Sequence, residues 1–190
     1  MNYIYDLDDT LIKNSDVPHY AAYMTFRELL KSQRNKDSQE QPGSILKQLK
    51  HRYSSNHLKK TREYTEKGLI KLAPGVKNFL KGEDGFQAGL TNAPHPSTDY
   101  KIEELGLDQL LDEVVTPRNV RRKPSTEGIE KIITESGLGR KEFIYVGDSI
   151  EDLVAGKRAG LRTVLITDSI TKKVFASETY NSFREFAEKH

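Results

Sequence analysis

The sequence predicts an α/β protein in which helices alternate with the strands of a parallel sheet, and an all-helical block interrupts that alternation after the first strand. Three observations carry this expectation. Short apolar runs recur at Tyr3-Ile4-Tyr5, Phe86–Leu90, Glu113–Thr116, Phe143–Val146 and Thr163–Ile166. From the second run onward they are separated by helical stretches of about ten to fifteen residues, the pattern of parallel βαβ units with right-handed crossovers. Residues 16–72 show only helical periodicity, and side chains capable of chemistry stand directly after several of the strands.

In chain order, Tyr3-Ile4-Tyr5 begins a strand that runs into Asp6-Leu7-Asp8-Asp9-Thr10. Pro18 suits the first turn of a helix reaching about Gln33, with Tyr20, Tyr23 or Met24, and Leu30 on one side. The polar run from Asn35 to Gly43 reads as a loop. Ser44 is the expected N-cap of a second helix, with Ile45, Leu49 and Tyr53 spaced by four. Ser54-Ser55-Asn56 breaks or recaps it, and a third helix from Leu58 stops at Gly68. Pro74-Gly75 opens a short helix with Val76, Phe79 and Leu80. After the second strand a helix runs from Ser97 or Thr98 to Leu105, closed by Gly106. Further helices are expected from Ser125 to Ser136 with Gly137 as the stop, from Ile150 to Ala159 before Gly160, and from Ser182 to Lys189. The expected organisation is an α/β core of residues 1–15 and 73–190 with a small helical domain of residues 16–72.

Composition narrows the function classes. The chain of 190 residues is 35% hydrophobic and 31% charged, enough to bury one sizeable core while keeping much solvated helix. It has no cysteine, which excludes disulfides, thiolate zinc sites and cysteine nucleophiles. The five histidines are scattered without metal-ligand spacing. A net charge of only +2, with no aromatic-basic interleaving, argues against nucleic acid as a partner. No run approaches the roughly 18 apolar residues of a membrane span, and Met1 leads straight into a strand without room for a signal or transit peptide. A soluble, cytoplasmic protein is expected, a monomer or weak dimer with no membrane partner. Charge is unevenly shared: residues 11–72 hold 13 Lys and Arg against 6 Asp and Glu, and the rest hold 17 against 22. A basic block beside an acidic cleft would draw in anions, although solvated helix faces account for most such lysines.

The residues after the strands define the chemistry. Asp6, Asp8 and Asp9 lie so close together that burial would raise their pKa values unless a cation sat among them. Asp6 and Asp8 at a strand end make a ready Mg²⁺ site, since that hard ion takes oxygen ligands. They read as an aspartate nucleophile with a second aspartate as acid/base; the alternative is an acidic turn closed by an Asx hydrogen bond. Strand two is followed by Thr91-Asn92, and strand four by Gly147-Asp148-Ser149-Ile150-Glu151-Asp152. The basic segment Arg121-Arg122-Lys123-Pro124 follows strand three. In an open parallel sheet these carboxyl ends share one edge, where ligands bind at a topological switch point. Carboxylates, a hydroxyl, an amide and a lysine gathered there suit a phosphoryl group. Asp148 also reads as a helix N-cap, Lys123 as a solvated loop lysine, and Asp152 as an ordinary helix acid.

Asp6-Leu7-Asp8-Asp9-Thr10-Leu11, Thr91-Asn92, Lys123-Pro124 and Gly147-Asp148-Ser149-Ile150-Glu151-Asp152 resemble, in order and spacing, the four motifs of the haloacid dehalogenase superfamily of phosphatases. The resemblance implies a Rossmann-like parallel sheet of strand order 5-4-1-2-3, with the helical block as a cap inserted after the first motif. Position 9 is Asp where the family more often has glycine; the acidic form also occurs among family phosphatases. Carried onto this chain, the resemblance implies Asp6 as a nucleophile forming an aspartyl-phosphate and Asp8 as acid/base. Mg²⁺ would be held by Asp6, the Asp8 carbonyl and Asp148. Thr91 and the backbone at Asn92 would contact the phosphoryl oxygens, Lys123 would offset their charge, and Asp152 would support the metal shell or pair with Lys123.

Asp8 separates reaction types. A halide leaves without a proton, whereas an alkoxide benefits from a general acid, so dehalogenation is disfavoured. The expected function is a Mg²⁺-dependent phosphatase for a small phosphorylated metabolite, similar to phosphoglycolate phosphatases or nucleotidases. A sugar phosphomutase and a non-catalytic phosphate-binding or regulatory protein are the alternatives. Tyr53 and Tyr64 are expected to pack within the helical block rather than to form a substrate platform, and His95 to be a loop histidine.

Overall fold

The computed structural model describes residues 1–13, 22, 24, 25 and 42–190. Strand β1 (Asn2–Tyr5) is the centre of a six-stranded sheet. It pairs in parallel with β4 (Gln87–Leu90) on one side and β6 (Phe143–Gly147) on the other. Beyond β4 lies β5 (Glu113–Val115), and beyond β6 lie β7 (Arg162–Ile166) and β8 (Thr179–Tyr180), every pair parallel. Counted over the five strands read from sequence, this is the order implied by the resemblance, with β8 added outside the fifth strand. That strand is two residues long and pairs only with Leu165 and Ile166, too short to leave a periodic signature.

Alternation along β1 explains the two-sided core. Tyr3 and Tyr5 point to one face of the sheet and Ile4 to the other, and all three are buried. The tyrosine face packs with Val164 and Ile166 of β7 against α2 (Val76–Gly82) and the terminal helix α7 (Phe183–Ala187). Here Phe186 meets Tyr3, Phe79 and Phe183 at ring-centroid distances of 5.8, 5.3 and 5.4 Å. On the opposite face Ile4, Leu90 and Tyr145 pack against α4 (Glu127–Ser136) and α5 (Ile150–Arg158). Helix α3 (His95–Glu104) starts soon after β4, and the short helix α6 (Ile170–Lys173) follows β7.

The chain leaves and re-enters the sheet through a two-stranded antiparallel pair, β2 (Ile12–Lys13) and β3 (Lys71–Leu72). The Ala73 amide donates to the Leu11 carbonyl at 2.8 Å, tying both crossings together. Between them the structure departs from expectation. Helix α1 runs unbroken over Pro42–Glu66, so Ser54-Ser55-Asn56 neither breaks nor recaps it, and Pro42-Gly43 begin the helix instead of ending a loop. Interior Ser and Asn cost only a few tenths of a kcal/mol each in propensity. The buried stripe of His57 and Thr61 overrides that cost, and the Asn56 amide donates to the Thr25 hydroxyl at 3.2 Å. The stop at Gly68 is as expected, with a positive φ of 66°. Ala22, Met24 and Thr25 are helical; the remainder of the helix expected from Pro18 to Gln33, and the loop from Asn35 to Gln41, lie outside the described residues. No helix among the described residues is long and apolar enough to cross a membrane.

The aromatic cluster gives a stability expectation. Phe186 is fully buried, whereas Phe175 is 62% exposed. Phe186→Ala should cost about 3–5 kcal/mol in urea unfolding, and Phe175→Ala less than about 0.5 kcal/mol. Equal losses would contradict this packing.

Candidate active site

All the sequence-predicted residues converge. Asp6, Asp8, Thr91, Asn92, Lys123, Asp148 and Asp152 line one cavity of about 370 Å³ at the carboxyl ends of β1, β4 and β6. The sheet order creates it: β4 and β5 run outward on one side of β1, and the chain then returns to β6 on the other, leaving a crevice at the reversal. The turn after β1 holds Asp9 at φ 63°, a left-handed conformation that glycine adopts most readily and that Asp tolerates through local hydrogen bonding.

Lys123 lies at the centre. Its side chain is almost wholly buried, and its ammonium bonds the Asp6 carboxylate, the Asp152 carboxylate at 2.7 Å and the Leu90 carbonyl at 3.0 Å. Asn92 fixes the lysine's backbone: its side-chain carbonyl accepts from the Lys123 amide at 2.8 Å, and its side-chain amide donates to the Lys123 carbonyl at 3.1 Å. Asp152 has both oxygens engaged. One accepts from Lys123 and from the Tyr145 hydroxyl at 2.9 Å, the other from the Ser149 amide at 3.0 Å and the Ser149 hydroxyl. Ser149, not Asp148, is therefore the N-cap of α5, with Asp152 completing a capping box. A side chain at Gly147 would put its Cβ 2.4 Å from the Cβ of Asp152, so the strand must end in glycine for the acid to fold back beneath it.

Asp148 is left to face the cleft. Its carboxylate accepts a long hydrogen bond from Thr10 at 3.5 Å, and the Lys172 ammonium lies 3.9 Å from it while donating to the Asp148 carbonyl at 3.0 Å. Asp8 bonds the ammonium of Lys101 through one oxygen and accepts from the Thr91 hydroxyl through the other at 3.4 Å. Thr91 in turn accepts from the Ala93 amide at 2.9 Å.

Electrostatically the site is short of positive charge. Burial pushes the Asp6 carboxyl well above the usual carboxylate range, against the pull of Lys123, and the charges of Asp152, Asp8 and Asp148 add to the rise. Burial, then the charge of Asp152, raises Asp148 to about 6. Burial pulls the Lys123 ammonium down, but Asp152 and Asp6 outweigh it and hold it well above the ordinary lysine range. For Asp152 burial works upward, yet the charge and hydrogen bond of Lys123 and the bonds from Ser149 bring it down. Oxygens of Asp6, Asp148 and Asp152 lie within 4.8 Å of one another. An all-oxygen donor set around a deficit of positive charge fits a hard divalent cation.

Sequence reading assigned no site role to four residues around this centre. Tyr53, His57 and Arg122 line the cavity, and Lys101 is fully buried behind Asp8. Tyr53 was expected to pack within the helical block, but it faces the cleft one turn from His57, their rings 5.9 Å apart. Burial, then the charge of Lys101, pushes the His57 imidazole down to about 4. The signal for His57 was available: the spacing by four from Ile45 through Tyr53 continues to His57 and Thr61. So was that for Lys101, which shares a helical stripe with Thr98 and Leu105. The basic residues of α1 do not converge on the cavity. Lys60 sits 4.2 Å from the Tyr64 ring centroid and bonds Glu63 at 3.2 Å, while exposed Lys59 and Arg62 border a separate outer groove. His95 begins α3, its Nδ1 2.9 Å from a carboxylate oxygen of Asp99, and does not line the cavity.

Comparison with known proteins places this arrangement. The profile of the haloacid dehalogenase-like hydrolases matches residues 3–166. A pyrophosphatase PpaX from Halalkalibacterium halodurans is 31% identical over 102 residues, 52% of this chain and 47% of that protein. A phosphoglycolate phosphatase from Salmonella typhimurium is 30% identical over 132 residues, 67% of this chain and 49% of that protein. The chain thus spans about half the length of these curated relatives. The crystal structure of CbbY from Rhodobacter sphaeroides in complex with phosphate superposes with a TM-score of 0.75 at 19% identity, covering 97% of this chain and 95% of that one, and shares its fold. With the profile extending from the first strand of the sheet to β7 and so including every residue that lines the acidic end of the cleft, the chain belongs to the haloacid dehalogenase-like hydrolase family.

Proposed function

We propose that this protein is a Mg²⁺-dependent phosphatase that hydrolyses a small phosphorylated metabolite in the cytoplasm through an aspartyl-phosphate. In this reading residues 16–72 form a helical cap over a core of residues 1–15 and 73–190. The observation that carries it is the grouping of Asp6, Asp148 and Asp152 around the Lys123 ammonium, in one cavity with Asp8 and Thr91. The relatives named as a pyrophosphatase and a phosphoglycolate phosphatase support the same class of chemistry.

The Asp6 carboxylate attacks phosphorus as the bond from phosphorus to the leaving oxygen breaks. Asp8 gives that oxygen its proton and then takes a proton from the water that attacks the aspartyl-phosphate, which releases phosphate and restores Asp6. The Thr91 hydroxyl and the backbone at Asn92 hold the phosphoryl oxygens, and Lys123 offsets their charge. The Asp6 and Asp148 carboxylates and the Asp8 carbonyl are the groups that would hold Mg²⁺. Asp152, whose oxygens are engaged by Lys123, Tyr145 and Ser149, supports the shell from behind. Bound there, Mg²⁺ supplies positive charge to the phosphoryl oxygens. A small substrate suits a cavity of about 370 Å³.

Three expectations test this reading. Asp6→Asn should reduce phosphate release by roughly 10³-fold or more while substrate still binds in calorimetry; normal turnover in this variant would falsify the nucleophile assignment. Asp148→Asn should weaken Mg²⁺ affinity and kcat together, and excess chelator should abolish turnover of the unaltered protein; full activity in chelator refutes the metal requirement. Asp8→Asn should slow the single-turnover step on an alkyl phosphate by about 10²–10⁴-fold, and less on p-nitrophenyl phosphate, whose phenolate leaves without needing a proton. Equal losses on the two substrates would remove Asp8 from the acid's role.

A further inference from the structure

Lys101 has no part in the chemistry described so far, yet it is a fully buried lysine whose ammonium bonds Asp8. A buried ammonium is costly unless paired and hydrogen-bonded, so its position is held by the carboxylate it meets. It projects from α3, the helix against which α1 packs, and its charge contributes to keeping the neighbouring His57 imidazole neutral. Asp8 therefore has differentiated oxygens. Oδ1 accepts from Lys101, while Oδ2 lies on the side of the Thr91 hydroxyl, at 3.4 Å.

We propose that Lys101 is a positioning residue for Asp8, anchoring Oδ1 so that Oδ2, beside Thr91, is the atom that exchanges the proton with the leaving group and the water. The inference rests on the acid/base role given above to Asp8. The proton on Oδ2 passes to the leaving oxygen as its bond to phosphorus breaks. In the second step the attacking water returns a proton to Oδ2 as the bond between phosphorus and the Asp6 oxygen breaks. Lys101 keeps its three protons throughout and touches no reacting atom. Without the anchor the carboxylate keeps fewer of the bonds that fix its side-chain torsions, and Oδ2 is held less firmly toward the leaving group. A misplacement of about 1 Å is enough to cost on the order of a hundredfold in rate.

The test is a double-mutant cycle read in single-turnover kinetics with an alkyl phosphate and p-nitrophenyl phosphate. Lys101→Met keeps the length of the side chain and removes the donor. It should slow the alkyl phosphate about ten- to a hundredfold, slow p-nitrophenyl phosphate distinctly less, and leave KM within about twofold, because the phosphoryl contacts are intact. Lys101→Gln, which retains a donor without the charge, should fall between Lys101→Met and the unaltered protein and serves if the apolar variant folds poorly. The decisive comparison is the double variant: with Asp8→Asn already present, Lys101→Met should slow the reaction no further. A further loss of the full single-variant size, or equal losses on both substrates, overturns the positioning role alone. An Asp8→Asn variant with undiminished turnover overturns the acid/base reading and this inference with it.

Discussion

The burial of several carboxylates around one ammonium is the constraint on which the rest of the structure depends. Asp6 and Asp152 are nearly inaccessible and Lys123 sits between them. Taking such charges out of water costs several kcal/mol per ion, and the Coulombic return is often no better than a packed apolar core would give. The network is therefore poorly explained as a stability device. What it supplies is geometry. Asn92 clamps the lysine's backbone, Tyr145 and Ser149 orient Asp152, and a glycine at the end of β6 makes room for the acid to fold back.

The sheet topology makes this possible. The groups come from the ends of β1, β4 and β6 and from the loop after β5, and parallel pairing with β1 at the centre brings all those ends to one edge. The aromatic packing beneath β1 and the helices on the opposite face cover both sides of the sheet whose edge brings these four segments together.

Helix α1 meets the cleft through a narrow stripe. Tyr53 and His57 face the cavity, whereas none of the lysines and arginines of α1 lines it: Lys60 lies against Tyr64 and bonds Glu63, and Lys59 and Arg62 border a separate groove. Arg122, from the loop after β5 and next to Lys123, lines the cleft wall instead. Charge counted along a segment does not locate where that charge is presented.

The strands, their parallel sense and the convergence of Asp6, Asp8, Thr91, Asn92, Lys123, Asp148 and Asp152 were legible in the sequence, because each is encoded locally. Apolar runs of strand length alternate with helical periodicity, and the chemical residues stand immediately after them. The stop at Gly68 and the start of the terminal helix at Ser182 were legible for the same reason: each is marked by one residue type at one position. The unbroken course of α1 through Ser54-Ser55-Asn56 was not, since a few tenths of a kcal/mol of local preference yields to burial of a helix face. Nor was the engagement of Asp8 by Lys101, 93 residues away. The sequence by itself determined which elements form and which residues reach the edge of the sheet. Tertiary structure alone decided which charges are paired there, because pairing depends on distances of a few ångströms between segments far apart in the chain, and no local pattern carries that information.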